Sequence, residues 1–196
     1  MRFKVVNNKS IQEGYSPNEL DINSSVYDKL NRKRICDLTF DEITYLYAFE
    51  NVWSKFYGED EEEFETDVDY TISKLKSNST DRKYLEDCLK FCKSIKLPMK
   101  IYRALNKNEI SSDGHISLKG TSWTIDSTIY TDKRSKFYNN PNVVSAILDD
   151  YSAIHNSWTI QLFMQWSLEK TDSSYPEYEI ALTPSKINLN SIERFN

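Results

Sequence analysis

Two glutamates near the end of the chain are the residues whose spacing best suits chemistry. Glu177 and Glu179 stand two apart in a segment that reads PEYEIAL, and in an extended chain their side chains share one face. Two like charges side by side repel, and burying either one costs free energy. The pair therefore favours a cleft in which negative charge is used. The other face of the strand is expected to send three side chains into a core: Tyr178, Ile180 and Leu182.

Two segments upstream carry residues that fit the same cleft. Arg103 is the only charge on the apolar segment 101–105, where a guanidinium could grip a phosphate through two hydrogen bonds. Ser122 and Thr124 stand two apart on a predicted strand, so their hydroxyls face one way and could hold a carboxylate or a ribose. Taken singly, each pattern is also typical of a solvated strand, as is E-x-E itself.

Taken together, the three segments resemble one enzyme family. In the order YRAL, GTSWTID and PEYEIAL, they are similar to the motifs of the arginine–serine–glutamate class of mono-ADP-ribosyltransferases. The resemblance covers residues 99–196, and the size of the chain resembles the small transferases of bacteriophages and bacterial toxins. The sequence departs from the pattern at Ala104, where the family commonly has glycine, and at Ser174, where it has an aromatic residue.

The resemblance implies a fold and a reaction. The fold would be α+β, a single ADP-ribosyltransferase-like domain over 1–196. Helices in 1–97 would pack on a β-rich core in 98–196, made of two small mixed or antiparallel sheets. NAD would be the co-substrate, with no metal, and its nicotinamide–ribose bond would break through a cationic ribose, as in glycoside hydrolysis. A host or target protein would accept the ADP-ribose.

The resemblance also assigns roles to residues. Glu179 would stabilise the cationic ribose, and Glu177 would position and help deprotonate an arginine acceptor. Ser122, with Thr124, would orient Glu179 and the nicotinamide side. Two positions complete the proposed NAD site. Arg103, followed by Ala104, would bind the pyrophosphate region, and Trp123 would be structural or would stack on a base.

The elements that must position these residues follow from caps and periodicity. The first half reads as helices and the second half mainly as short strands, which favours an α+β protein over alternating βαβ units. The predicted helices run from a capping signature at 16–19 to near Lys33, from the Thr39–Glu42 capping box to Gly58, over 68–76, and from Thr80 and Asp81 to near Ile95. The predicted strands are 99–105, 116–125, 143–148, 178–182 and 187–192, and 157–168 is ambiguous between strand and helix.

Composition bounds the class of protein. The chain has 196 residues, 39% of them hydrophobic and 28% charged, which is typical of a globular protein. A net charge of -5 disfavours direct binding to nucleic acid. The sequence offers no apolar run of membrane-spanning length and no secretory signal at its start, so we expect a cytoplasmic protein with no membrane partner, in the host cytosol if it is phage-encoded or a toxin.

Two further patterns lie outside the motifs. The acidic run 59–69 is typical of a solvated surface, and the sharper hypothesis is that it attracts a basic target protein. Cys88 and Cys92 have the i,i+4 spacing of one helix face and are predicted to be core residues rather than ligands or a disulfide.

Three alternatives remain beside the transferase. An NAD glycohydrolase on the same fold would pass the ribose to water, and only Glu177 separates it from a transferase. A non-catalytic binding module with a degenerate transferase fold would belong to another class. A two-carboxylate glycosidase is disfavoured, because E-x-E places both carboxyls on one side of a substrate.

Overall fold

The computed structural model describes residues 24–55, 61–105, 109, 122–135, 138–168, 178–183 and 193–195. Within these residues the chain is α+β, with six α-helices and one five-stranded antiparallel sheet. It divides into two compact units. One comprises Tyr15–Ile95 and His155–Glu169, and the other comprises Met1–Gly14, Lys96–Ile154 and Lys170–Asn196. The expectation of a single transferase domain stays a prediction.

The first unit is helical. Its helices are α1 (Ser24–Arg32), α2 (Phe40–Trp53), α3 (Glu61–Ser77), α4 (Ser79–Ser94) and α6 (Asn156–Leu168). The predicted capping box of α2 is confirmed. Thr39 Oγ1 accepts from the Glu42 N–H at 3.3 Å, and the Glu42 carboxylate accepts from the Thr39 N–H at 2.8 Å. The predicted start of the first helix at 16–19 lies outside the described residues. The predicted stop of α2 at Gly58 is wrong, because the helix ends at Trp53 and Ser54 caps it.

Two predicted helix starts are wrong, for identifiable reasons. The α4 cap is Asn78, whose side-chain oxygen accepts from the Thr80 N–H at 2.9 Å and the Asp81 N–H at 3.2 Å. Asparagine is as good a cap as aspartate, so Thr80 and Asp81 fall in the first turn. Helix α3 begins at Glu61 rather than at Val68. The acidic run therefore opens a helix, where the macrodipole favours negative charge.

The side chains of α3 and α4 separate surface from core. The acidic residues of α3 are exposed: Glu62, Glu63, Glu65, Asp67 and Asp69. This is the solvated surface that the sequence indicates, and attraction of a basic target stays a prediction. On α4, Cys88 and Cys92 have no exposed surface, which confirms their prediction as core residues.

The ambiguous segment 157–168 is helical and belongs to the helical unit. Ile160 and Met164 have no exposed surface, so α6 is a buried helix with apolar residues around much of its circumference. Its first residue ties it to the end of α1, because the Asn156 amide donates to the carbonyls of Leu30 at 2.7 Å and Lys33 at 2.8 Å. Such a helix has no amphipathic stripe, which is why periodicity left it undecided.

The second unit carries the sheet. Its strands are β1 (Met99–Ala104), β2 (Ser122–Thr124), β3 (Val143–Leu148), β4 (Glu179–Ala181) and β5 (Glu193–Arg194), in the spatial order β4-β2-β1-β3-β5. A short helix, α5 (Thr128–Thr131), follows β2. The predictions for β1 and β3 are confirmed, and β4 lies within its predicted range. The predicted strand residues 116–121 and 187–192 lie outside the described residues.

Sheet register determines which side chains share a face. Tyr102 of β1 stands opposite Thr124 of β2, and Thr124 stands opposite Glu179 of β4. The opposite face is buried, with Ile101, Trp123 and Ile180 each at most 1% exposed. The described residues form this one sheet, so the second sheet that the resemblance implies is not among them.

None of the helices in the described parts of the chain is both long enough and apolar enough to cross a membrane.

Candidate functional site

A serine and a glutamate from the two main motifs meet across neighbouring strands. Ser122 on β2 pairs with Ala181 on β4, and Thr124 pairs with Glu179. Alternate residues of a strand share a face, so the register brings Ser122 and Glu179 into diagonal contact. The Ser122 hydroxyl donates a hydrogen bond to Oε1 of Glu179. A hydroxyl bond to a carboxylate fixes the orientation of that carboxylate.

Thr124 stands directly beside this pair, but its hydroxyl bonds to the backbone of the turn that follows its own strand. Its side chain is 2% exposed, and its Oγ1 accepts from the Asp126 N–H at 3.0 Å. The Asp126 carboxylate in turn accepts from the Thr128 N–H at 2.9 Å. These two bonds shape the turn that leads from β2 into α5. Thr124 therefore packs against Glu179 by register and stabilises the backbone at the end of its own strand.

Arg103 leaves β1 on the other face of the sheet, beside the buried side chains of Ile101 and Leu105. Its guanidinium still reaches β2, where Nη1 donates to the carbonyl oxygen of Ser122 at 3.2 Å. Its Nη2 donates to the carboxylate of Glu109 at 2.9 Å. The structure thus joins the arginine motif to the backbone of the serine motif, and holds the cation between two protein acceptors.

The Arg103–Glu109 ion pair is almost fully buried. The side chains of Arg103 and Glu109 are 10% and 1% exposed, and the Arg103 Nε has no hydrogen-bond partner among the described residues. A guanidinium in such a place cannot shed its proton, so Glu109 supplies the charge that makes its burial tolerable. The sequence analysis missed this partner. The signal for it is that a lone cation on an apolar strand needs a counter-charge, and Glu109 is the first carboxylate that follows.

Ala104 is engaged by a residue that the sequence analysis also missed. The Ala104 N–H donates to the hydroxyl of Tyr130 at 3.0 Å. Tyr130 belongs to a buried apolar cluster with Ile129 and Val143, against which Tyr102 and Ala104 pack. The tyrosine therefore stabilises the end of β1 through both its ring and its hydroxyl.

Trp123 lies in the core of the sheet unit. It is 1% exposed, it stands opposite Ile180, and the alternation of the strand directs it away from Ser122 and Thr124. A ring buried to this degree presents no face to a nucleotide base. The arrangement fits the structural interpretation of Trp123 and not the stacking one.

The prediction that Tyr178 enters the core is wrong. Tyr178 is 38% exposed, whereas Ile180 and Leu182 have no exposed surface. The backbone explains the difference, because Tyr178 has φ of 37°, in the left-handed region that costs a non-glycine residue about 1–2 kcal/mol. The extended alternation therefore ends at Tyr178. Glu177, the other carboxylate of the motif, lies outside the described residues.

A second polar cluster lies in the helical unit. The Ser157 hydroxyl donates to the Glu50 carboxylate at 2.7 Å, contacts the Tyr27 hydroxyl at 2.9 Å and lies 3.2 Å from Nδ1 of His155. Tyr27 also donates to Glu50, and burial, followed by the charge of Glu50, raises the pKa of Tyr27. Ser157 has no exposed surface. A serine beside a histidine and a glutamate has the residue types of a catalytic nucleophile with its base. Because Ser157 is fully buried, we interpret these hydrogen bonds as links that hold the helices together.

His155 has a structural role in the helical unit. Its ring stacks on Trp158 with centroids 4.1 Å apart. Burial lowers the pKa of His155 to about 4, so the ring is neutral at pH 7.

No set of histidine, cysteine, aspartate and glutamate side chains in the described part of the chain is arranged to hold a metal ion. Comparison with models of protein families, with curated proteins and with solved structures finds no match to this chain.

Proposed function

We propose that this chain is an NAD-dependent mono-ADP-ribosyltransferase that modifies arginine in a target protein. The observation that carries the proposal is the hydrogen bond from the Ser122 hydroxyl to the Glu179 carboxylate. These residues are 57 apart in the sequence, and they are the two that the motif resemblance pairs in chemistry. A partly buried carboxylate that is oriented by a serine hydroxyl suits stabilisation of a cationic sugar.

In the proposed reaction, the bond between the nicotinamide nitrogen and the ribose C1′ breaks, and its electron pair leaves with neutral nicotinamide. The Glu179 carboxylate stabilises the positive charge that develops on the ribose, as a carboxylate does in glycoside hydrolysis. A guanidine nitrogen of the acceptor then bonds to C1′, and its proton passes to Glu177 acting as general base. Ser122 keeps Glu179 in the orientation that this charge requires.

Arg103 lies on the opposite face of the sheet from Ser122 and Glu179, and in this proposal it supports the serine motif through its hydrogen bond to the Ser122 carbonyl. Its binding to the pyrophosphate region of NAD stays a prediction of the motif resemblance. The remaining residues predicted to bind NAD act indirectly in this proposal. Thr124 holds the turn after β2, Ala104 holds the end of β1 through its N–H, and Trp123 fills the core.

One observation favours a second candidate, a non-catalytic protein with a transferase-like sheet. The charge of Arg103 is already balanced by Glu109 at 2.9 Å, with the pair almost fully buried. In a purely structural ion pair, no anion need ever replace or join the carboxylate. This candidate predicts that the protein neither binds nor cleaves NAD.

The experiment that separates these candidates measures two products from one incubation. Purified protein receives labelled NAD and agmatine, a small guanidine acceptor, and both nicotinamide release and ADP-ribosyl-agmatine are quantified. Glu179→Gln is expected to lose both products, because the charge on the ribose is no longer stabilised. Glu177→Gln is expected to lose transfer and keep nicotinamide release. Ser122→Ala is expected to reduce both by ~10²-fold through misplacement of Glu179.

Each pattern of products has one meaning. A glycohydrolase is indicated if the unaltered protein releases nicotinamide but labels neither agmatine nor protein acceptors. No cleavage and no binding of NAD by calorimetry would favour the non-catalytic protein. If Glu177→Gln and Glu179→Gln both lose only transfer, the division of roles between the carboxylates is wrong. Thermal unfolding of each variant controls for loss of the fold.

A further inference from the structure

Tyr178 is held at the surface in a conformation that its residue type does not favour. Its φ of 37° is in the left-handed region, which glycine and asparagine adopt far more readily than tyrosine. Its carbonyl accepts a hydrogen bond from the Ile125 N–H at 3.2 Å, so this turn of the chain is fastened to the end of β2. The residue after it is Glu179, whose carboxylate contacts Ser122.

The alternative conformation would bury the ring. An extended Tyr178 would continue the alternation of Ile180 and Leu182, which have no exposed surface, and would add an aromatic ring to the core. Instead Tyr178 is 38% exposed. The chain therefore adopts a disfavoured backbone conformation with an exposed aromatic residue immediately before the proposed catalytic glutamate in the sequence. Outliers of this kind cluster at functional sites.

We propose that Tyr178 recognises the acceptor, by stacking its exposed ring on the guanidinium of the arginine that is to be modified. This inference rests on the proposed function and names the residue that selects its substrate class. A guanidinium stacks on an aromatic face through both cation–π attraction and planar contact. The ring stands between two glutamates in the sequence, so the local charge is negative and favours a cation over a carboxylate or a hydroxyl acceptor.

The variants that test this proposal are chosen so that the fold is kept. Tyr178→Asn removes the ring and adopts positive φ readily, and Tyr178→Phe keeps the ring and removes the hydroxyl. With agmatine as the probe, Tyr178→Asn is expected to raise the KM for agmatine about 3- to 30-fold, the range that a cation–π contact supplies. Nicotinamide release in the absence of agmatine is expected to stay within twofold of the unaltered protein, and Tyr178→Phe is expected to match it in both assays.

The outcomes separate this inference from the function on which it rests. An unchanged KM for agmatine in Tyr178→Asn, with nicotinamide release intact, overturns the role of Tyr178 and leaves the transferase standing. A loss of nicotinamide release equal to the loss of transfer overturns it too, because the residue would then act on NAD. Absence of both activities in the unaltered protein refutes the transferase first, and the role of Tyr178 with it.

Discussion

The buried ion pair between Arg103 and Glu109 allows a sharp test of how this sheet tolerates a charge in its core. The perturbation is Glu109→Ala, which leaves the Arg103 guanidinium without its counter-charge. Arginine stays protonated, so the cation must remain buried or the side chain must break out of the sheet. The reciprocal change, Arg103→Met, leaves a carboxyl group that can take up a proton and become neutral.

The magnitude follows from the burial of the pair, at 10% and 1% side-chain exposure and 2.9 Å separation. Breaking such a pair by removing one partner costs about 3–5 kcal/mol, whereas replacing both partners by apolar residues is neutral or stabilises by about 1–4 kcal/mol. We therefore expect Glu109→Ala to lose about 3–5 kcal/mol of unfolding free energy and Arg103→Met to lose less. The double variant Arg103→Met with Glu109→Leu is expected to recover most of the loss.

The assay is equilibrium urea unfolding, with amide hydrogen exchange of β1 as a local readout of the sheet unit. Glu86→Ala is the matched control, because it removes the carboxylate of an exposed arginine–glutamate pair of 3.2 Å on α4. Such surface pairs contribute about 0–1 kcal/mol. A change below about 1 kcal/mol in Glu109→Ala, or a double variant as unstable as the single one, would refute the account of a desolvated pair.

Two further predictions concern the helical unit. The pKa of His155 is lowered from 6.5 to about 4 by burial, so the unfolded chain takes up the proton first as the pH falls. The stability that His155 contributes is complete above pH 6.5 and is lost on acidification toward pH 4, by about 2–3 kcal/mol. The free energy of unfolding, measured in urea at pH 7 and pH 4.5, should change less between these pH values in His155→Asn than in the unaltered protein. An equal change in both proteins would contradict the lowered pKa of His155. Asn78→Ala should lower the free energy of unfolding by about 1 kcal/mol, because α4 loses its cap. Thr80→Ala is the control. A larger loss in Thr80→Ala than in Asn78→Ala would mean that Asn78 is not the cap.

Local interactions explain why much of the fold could be predicted. The α2 capping box needs only Thr39 and Glu42 and forms within one turn. Strands β1 and β3 are short segments rich in apolar residues, and both appear where the sequence places them. The α4 cap was misplaced by two residues because several capping types stand together at 78–81, and local sequence alone does not rank them.

The site was predictable in its residue types and only partly in its geometry. The side-chain contact of Ser122 with Glu179 depends on the pairing of β2 with β4, and the motif resemblance indicated both residues. Glu109 and Tyr130 were not predicted, because neither an ion-pair partner nor a side-chain acceptor for a strand N–H leaves a periodic pattern in the sequence. Tyr178 was predicted on the wrong face, since alternation assumes an extended backbone that its φ of 37° does not keep.

The sequence by itself determined the class of elements and the candidate chemistry, because caps, alternation and motif residues act over a few positions of the chain. The tertiary structure alone decided which charges meet and which rings are buried. Arg103 and Glu109 pair, Trp123 enters the core and Tyr178 stays outside. These outcomes depend on strand register, desolvation and one left-handed residue, which are properties of the assembled sheet.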